Sequence, residues 1–302
     1  YESIFLLTGT GYILVVFLMN TFSIINKTTM ITSIFKALLK YSPVLLGLLT
    51  LLTGCAKEQF LIHPIYGPIT TEYLTFEHQG IQRQYALHIP KTVTQNAPLL
   101  LSMHGYTDDA IQHRDYTRLN QIADEHHFIV AYPRGMKDKE GERFFNMGYF
   151  FHQTETVDDV GFLSELVLHL QSTYQTDPKR TFTAGFSNGG DMSYLLACER
   201  PDLFRGFASI GGLMLEDFKT NCAHAVPIPI LEIRGEDDAI TLYDGDINNE
   251  TGWGHYPSIE STMDFWKTKN GCSTIARDTL YGPHDCDYQR VEITKFQNCT
   301  DN

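Results

Sequence analysis

The order of hydrophobic and polar positions predicts alternating strands and helices from about residue 70 onward. Residues 82–89 alternate between apolar and polar side chains, which indicates an antiparallel strand with one buried face. Short apolar runs predict buried strands, and apolar residues at helical spacing predict helices. The predicted buried strands are 98–103, 128–132, 180–185, 207–210 and 228–233, and the predicted helices are 112–127, 160–174, 189–198 and 258–269. This alternation predicts a single α/β domain in which helices flank a mostly parallel central sheet.

The first sixty residues have a different pattern, because they are mostly apolar and carry few charges. Two apolar runs, 12–19 and 44–52, suggest membrane-spanning helices at first sight. Each run is shorter than the about 20 residues that a bilayer-spanning helix needs. We therefore do not expect either run to span a membrane.

The segment 30–55 resembles a bacterial lipoprotein signal peptide. Lys36 and Lys40 supply a basic start, residues 44–52 supply an apolar core, and Leu-Thr-Gly-Cys ends the segment at Cys55. In such signals the cysteine is lipidated and becomes the new N-terminus. The alternative is an ordinary secretory signal peptide with an incidental cysteine. We expect an exported protein that contacts the membrane only through a lipid anchor.

The formal net charge of −13 narrows the possible partners. An acidic surface argues against nucleic acid and against electrostatic docking to anionic lipid. No cluster of cysteine and histidine has the spacing of a zinc site, so we expect no metal and no organic cofactor.

The cysteine count agrees with export. Six cysteines are present, and five remain when Cys55 is set aside. Those five are Cys198, Cys222, Cys272, Cys286 and Cys299. Disulfides persist outside the cytosol, and an odd number leaves at least one thiol unpaired. The spacing alone does not give the pairing.

The strongest chemical signal is the segment 185–190, which reads Gly-Phe-Ser-Asn-Gly-Gly. It matches G-x-S-x-G and lies between a predicted strand and a predicted helix, which is the context of a nucleophile elbow. We expect Ser187 to be the nucleophile. The backbone N–H of Asn188 is then expected to stabilise an oxyanion. The alternative is a glycine-rich turn with no chemistry.

A second signal, Ser-Met-His-Gly-Tyr at 102–106, follows a predicted buried strand. The loop after an early strand supplies the second oxyanion donor in α/β-hydrolases, and we expect this donor to be the N–H of Tyr106. His104 is a possible general base, but we expect it to brace the loop.

A serine nucleophile of this kind acts in a triad with a histidine and an acidic residue. The acidic residue should follow a later strand. Residues 228–233 are followed by three acidic side chains, Glu236, Asp237 and Asp238. The pattern alone does not choose between them.

Taken together, these motifs resemble the poly(3-hydroxybutyrate) depolymerase and feruloyl esterase family of α/β-hydrolases. The resemblance runs from about Tyr73 to the C-terminus. Its blocks are Pro-Leu-Leu-Leu-Ser-Met-His-Gly-Tyr at 98–106, Val-Asp-Asp-Val-Gly-Phe at 157–162, the block at 177–190 that ends in the elbow, and the block at 234–245.

The resemblance implies several residue roles. It selects Asp238 as the catalytic acid, with Arg234 where the family usually has a histidine. It also implies two disulfides, Cys198–Cys222 and Cys272–Cys299, which would leave Cys286 free.

Asp158 and Asp159 belong to the block at 157–162. They have two interpretations, as caps of the next helix or as catalytic carboxylates, and we expect the first.

The family's catalytic histidine lies in a Gly-Gly-x-His segment beyond the cysteine that Cys299 resembles. No such segment occurs in the printed chain, so we expect the esterase domain, 56–302, to be C-terminally incomplete. Residues 1–29, upstream of the signal, are expected to be read-through. Two internal histidines, His255 and His284, follow Asp238 and are the alternative bases.

The expected function is that of an exported serine carboxylic-ester hydrolase that forms an acyl-enzyme. Feruloyl or acetyl esters of polysaccharides and short polyester oligomers are the candidate substrates. Aromatic residues near the loops either stack on the substrate or belong to the core: Tyr106, Tyr149, Phe150, Phe151 and Trp253. The alternatives are a surface lipoprotein that binds polymer without catalysis and, less favoured, a peptidase on the same architecture.

Overall fold

The computed structural model describes residues 2–7, 73–218, 222, 226–281 and 290–300. The predicted leader 30–55 with Cys55, together with His284 and Cys286, lies outside the described residues. No helix in the described part of the chain is long and apolar enough to cross a bilayer.

A large mixed sheet forms the centre of the described structure. Its strands are β1 (Glu2–Leu7), β2 (Leu74–His78), β3 (Ile81–His88), β4 (Leu99–Met103), β5 (Ile129–Arg134), β8 (Thr181–Phe186), β9 (Phe207–Ile210), β10 (Ile230–Gly235), β11 (Thr274–Tyr281) and β12 (Arg290–Gln297). The spatial order is β11-β12-β1-β10-β9-β8-β4-β5-β3-β2. Strands β10, β9, β8, β4 and β5 run parallel, so their carboxyl ends meet at one edge. A small separate hairpin is formed by β6 (Met136–Lys137) and β7 (Arg143–Phe144).

Helices cover both faces of the sheet. They are α1 (Ala110–Thr117), α2 (Leu119–His126), α3 (Asp159–Tyr174), α4 (Asn188–Glu199) and α5 (Ile259–Lys269). One core cluster joins α3, α4 and α5 to Leu99 and Leu101 of β4, whereas the other joins α1 and α2 to Leu100. Successive residues of a strand point to opposite faces, so one apolar strand supplies both cores. The predicted α/β-hydrolase architecture, with a mostly parallel sheet between helices, is confirmed.

The single helix predicted over 112–127 is wrong, because the structure has two helices that meet at Arg118. Arg118 adopts a left-handed conformation with φ 55°, and its N–H bonds to the carbonyl of Arg114 at 3.2 Å. The left-handed residue ends α1 in the manner of a helix C-cap. Apolar spacing continues across the break, which is why the pattern did not show it.

Strand β5 also runs further than predicted, through Pro133 to Arg134. Pro133 cannot donate a backbone hydrogen bond. Strand β4 pairs with β5 only as far as Ala131, so no donor is needed on that side at Pro133. The antiparallel hairpin of β11 and β12 at one end of the sheet was not predicted at all.

Two disulfides connect elements on the carboxyl-terminal side of the fold. Cys198 at the end of α4 is bonded to Cys222, and Cys272 after α5 is bonded to Cys299 after β12. These are the two pairings that the family resemblance implied.

Candidate active site

Ser187 lies on a sharp turn between β8 and α4. Its backbone has φ 51° and ψ −120°, a conformation that L residues with side chains seldom adopt. A Cβ atom on Gly185 would lie 2.1 Å from the carbonyl of Gly189, and one on Gly189 would lie 2.4 Å from the carbonyl oxygen of Met103. Only glycine fits at both positions, so the motif reflects the packing of the turn against β4.

Backbone hydrogen bonds hold this turn in place. The N–H of Ser187 donates to the carbonyl of Ile210 at 2.8 Å, and its carbonyl accepts from the N–H of Asp191 at 3.0 Å. Ser187 is partly exposed. Ser187 therefore lies at the carboxyl edge of the sheet on a rigid support.

The loop after β4 approaches Ser187 closely. A Cβ atom on Gly105 would lie 3.5 Å from the Cβ of Ser187 and 3.3 Å from the ring of Phe186. The backbone that links Gly105 to Tyr106 thus lies directly beside the serine.

His104 braces this loop, as its contacts show. Its Nδ1 bonds to the carbonyl of Gly105 at 2.7 Å, and its Nε2 accepts the N–H of Gly135 at 2.9 Å. A carbonyl can only accept, so Nδ1 carries the proton. Burial lowers the pKa of His104 to about 4, which keeps the ring neutral at ordinary pH. Both nitrogens are engaged with backbone, and neither serves as a base for Ser187.

The side chain of Tyr106 is held in place through its hydroxyl group. Its hydroxyl donates to the carboxylate of Asp138 at 2.6 Å, and His152 Nε2 lies 3.1 Å from the same oxygen. The side chains of Asp138 and His152 are fully buried. No sequence pattern points to this pair, because both residues lie on irregular segments without periodicity.

The side chain of Asn188 anchors the start of α4. Its Oδ1 accepts the N–H of Phe145 at 2.7 Å, and its Nδ2 donates to the carbonyl of Phe145 and to the hydroxyl of Tyr149, both at 3.0 Å. Asn188 is the first helical residue, a position at which the N–H has no partner within the helix. Asn188 directly follows Ser187, and Tyr106 directly follows Gly105, so both backbone N–H groups belong to the two segments that meet at the serine.

Asp238 follows β10, at the same edge of the sheet as Ser187 and two strands away. Its carboxylate accepts the N–H groups of Ile240 at 2.8 Å and Thr241 at 3.0 Å. Arg234 lies 3.6 Å from it and also donates to the carbonyl of Thr241 at 3.2 Å. The aspartate is therefore held in a fixed orientation at the rim of the site.

The histidines do not complete a triad within the described residues. His255 is exposed, and its Nδ1 bonds to the carbonyl of Ile247 at 2.8 Å. The hydrogen bonds described for Ser187 and Asp238 involve backbone groups and the hydroxyl of Thr241, not a histidine.

The acidic pair at the start of α3 has structural contacts. Asp158 caps the helix by accepting the N–H of Gly161 at 2.7 Å. Asp159 is fully buried, forms an ion pair with Arg83 and accepts the N–H of Asn146 at 2.7 Å. Asp158 therefore caps the helix as expected, whereas the carboxylate of Asp159 is held by Arg83 and Asn146 and does not cap it.

Two further buried carboxyls are Asp191, on α4, and Glu232, on β10. Asp191 accepts the N–H of Leu213 and the hydroxyl of Tyr149, and Glu232 accepts the hydroxyl of Tyr194 at 2.8 Å. Burial raises the pKa of Asp191 to about 7 and that of Glu232 to about 8. The sequence carries a signal for Glu232, because it is the one charged residue in the apolar run 228–233 that predicts this strand.

Aromatic side chains gather beside the loop after β4. The Tyr106 ring lies 5.9 Å from that of Phe151 and 6.1 Å from that of Trp253, and the latter two rings are 5.4 Å apart. All three are partly exposed, whereas Tyr149 behind them is buried. We call Tyr106, Phe151 and Trp253 the aromatic wall.

The described residues contain no group of three or more His, Cys, Asp or Glu side chains arranged to hold a metal ion. The groups that lie at this edge are Ser187, the Gly105–Tyr106 backbone and the hydrogen-bonded carboxylate of Asp238. Their chemistry is suited to acyl transfer.

Comparisons with known proteins extend this result. A bifunctional acetylxylan esterase/xylanase from Neocallimastix patriciarum is 27% identical over 212 residues, covering 69% of this chain and 29% of the relative. Feruloyl esterase B from Piromyces equi is 28% identical over 207 residues, covering 67% and 36%. The chain thus spans about a third of the length of these curated relatives. An acetyl xylan esterase structure from Aspergillus awamori aligns with a TM-score of 0.48 at 12% identity, covering 70% of this chain and 87% of that one.

The model of the family described as esterase PHB depolymerase matches residues 83–259. The match extends from β3 to the start of α5 and includes the elbow, the loop after β4 and the segment that carries Asp238. It covers more than half of the 302 residues. The chain belongs to the esterase PHB depolymerase family.

Proposed function

We propose that this protein is a serine carboxylic-ester hydrolase. The observation that carries the proposal is the meeting of Ser187, on its strained turn, with the Gly105–Tyr106 backbone beside it. In this mechanism the hydroxyl of Ser187 attacks the ester carbonyl, and the N–H groups of Tyr106 and Asn188 stabilise the tetrahedral oxyanion. The alcohol leaves, an acyl-enzyme remains on Ser187, and water hydrolyses it to release the acid.

The proton transfers need a base and an orienting acid. We assign the acid to Asp238, because it lies at the same edge as Ser187 and its carboxylate is held by backbone donors. The base is a histidine outside the described residues, in line with the family resemblance. Its role is to take the proton of Ser187 and to deliver it to the leaving alcohol.

The substrates we propose are feruloyl or acetyl esters of polysaccharides, or short polyester oligomers. The names of the two relatives and of the family support this class. The aromatic wall supports an aromatic acyl group, because its partly exposed rings lie next to the loop that approaches the serine and can contact another ring through a face or an edge.

Export as a lipoprotein anchored at Cys55 is part of the same proposal. The support is the basic-apolar-cysteine order of residues 30–55, together with two disulfides, which persist in oxidising compartments.

The test compares hydrolysis of p-nitrophenyl butyrate and methyl ferulate by the complete gene product and by its Ser187→Ala variant. We expect the substitution to lower kcat by about 10⁶-fold, since an alanine has no nucleophile. A fluorophosphonate probe should label the wild-type protein at Ser187, as located by mass spectrometry. His255→Ala is the matched control and should keep wild-type rates.

A wild-type protein that neither hydrolyses these esters nor takes up the probe would favour the rival function, polymer binding without catalysis. Loss of both hydrolysis and probe labelling in His255→Ala, beside an active wild type, would instead make His255 the base.

A further inference from the structure

The N–H of Asn188 can act as an oxyanion donor only if its peptide plane keeps a fixed direction. That plane begins α4 at a strained turn, where the preceding residue has φ 51°. The side chain of Asn188 is fully buried and uses all of its hydrogen-bonding groups on Phe145 and Tyr149. The first turn of the elbow helix is therefore tied to the segment that follows β7.

Tyr149 provides the second half of this attachment. Its hydroxyl accepts a hydrogen bond from the side-chain amide of Asn188 at 3.0 Å and donates one to the carboxyl of Asp191. The other carboxyl oxygen of Asp191 accepts the N–H of Leu213 at 2.5 Å. One hydroxyl thus connects α4, the segment after β7 and the loop after β9.

This arrangement is stiff for a physical reason. Tyr149 is 2% exposed and Asp191 1%, so neither polar group can exchange its partner for water. Oxyanion donors contribute most when they are held in place before the charge develops. A few tenths of an ångström at the donor are enough to weaken a hydrogen bond that forms only in the transition state.

We propose that Tyr149 is a positioning residue for ester hydrolysis, which holds the N–H of Asn188 toward the reacting oxygen through its hydroxyl bonds to Asn188 and Asp191. This role rests on the proposed function. It assigns Tyr149 no contact with the substrate and no proton transfer. Its contribution is to kcat, because the oxyanion exists only in the transition state and the intermediate.

The experiment replaces Tyr149 by phenylalanine in the complete protein and measures kcat and KM for p-nitrophenyl butyrate. The ring, and with it the contacts to Phe151 and Trp253, is retained. We expect kcat to fall about tenfold, less than the loss of a whole donor, while KM changes by less than about twofold.

Tyr194→Phe is the matched control. Tyr194 is also buried and also donates its hydroxyl to a buried carboxyl, that of Glu232, and it lies on α4, the helix that begins at Asn188. It has no hydrogen bond to Asn188. We expect a similar loss of thermal stability in both variants but a normal kcat in Tyr194→Phe, which separates positioning from general stability.

Asp191→Asn provides a second, volume-conserving test if Tyr149→Phe does not fold. Its amide oxygen is needed by the N–H of Leu213, so the amide NH₂ faces Tyr149 and cannot accept the hydroxyl proton. A fall in kcat at constant KM is expected again. A wild-type kcat in folded Tyr149→Phe and Asp191→Asn would overturn the positioning role of Tyr149. An equal fall of kcat in Tyr194→Phe would overturn it as well.

The fluorophosphonate probe separates this result from the proposed function. A wild-type protein that is neither labelled at Ser187 nor active overturns both the function and the role of Tyr149. A labelled, active wild type with an unaffected Tyr149→Phe overturns the role alone.

Discussion

At the scale of single residues, the motif around Ser187 is explained by close approach. Gly185 and Gly189 face each other across the turn, and Gly189 also meets the end of β4. The Gly-x-Ser-x-Gly spacing therefore follows from steric contact between the strand, the helix and the neighbouring strand. The same contact is what brings the loop after β4 next to the serine.

Gly189→Ala should be strongly destabilising. The new Cβ would lie 2.4 Å from the carbonyl oxygen of Met103, so β4 or α4 must move, at a cost of about 3 kcal/mol. Urea unfolding monitored by circular dichroism measures the change. Gly235→Ala is the control, since a Cβ there meets no atom within 4 Å. Equal stability of the two variants would contradict this account of the motif.

At the scale of elements, the break between α1 and α2 shows where periodicity is insufficient. Arg118 is exposed and left-handed, and two short helices result in place of one. The break turns the chain so that Ala110 of α1 and Leu119 and Ala123 of α2 all reach the same face of the sheet.

Arg118→Gly should stabilise the protein by up to about 1 kcal/mol. A side-chain-bearing residue in the left-handed region is strained, and glycine relieves that strain at a helix C-cap. The melting temperature of the variant should rise. Arg118→Ala removes the same side chain without relieving the backbone and should leave the melting temperature unchanged; a rise in that variant would point to the side chain instead.

At the scale of the whole molecule, buried titratable groups set the pH dependence of folding. Burial lowers the pKa of His104 to about 4 and that of His113 to about 3, so their contribution to stability is lost as pH falls through about 6.5. Burial raises the pKa of Asp191 to about 7 and that of Glu232 to about 8. Their contribution is present below about pH 4 and is lost as pH rises through those values.

The free energy of unfolding should therefore be greatest between about pH 4.5 and pH 6.5, where the two opposing slopes cancel, and should decline from about pH 6.5 to pH 8. Urea unfolding across this range is the measurement. Glu232→Gln, which keeps an acceptor for the hydroxyl of Tyr194, should flatten the alkaline decline. A wild-type stability that increases from pH 6.5 to pH 8 would show that these carboxyls are ionised in the folded state.

The sequence by itself determined the local features of this protein. Strand and helix types follow from side-chain periodicity, and the turn at Ser187 follows from the glycines around it, because both are short-range steric and burial effects. The prediction that His104 braces its loop also agrees with its contacts.

Only the tertiary structure decided which distant groups meet. The contacts of Asn188 with Tyr149, of Tyr106 with Asp138 and of Glu232 with Tyr194 join residues separated by 39, 32 and 38 positions. No local pattern encodes such pairs, because a buried polar group needs a partner but its sequence position does not specify which one. The break at Arg118 has the same origin, since packing against the sheet outweighs the weak preference of an exposed segment for one continuous helix.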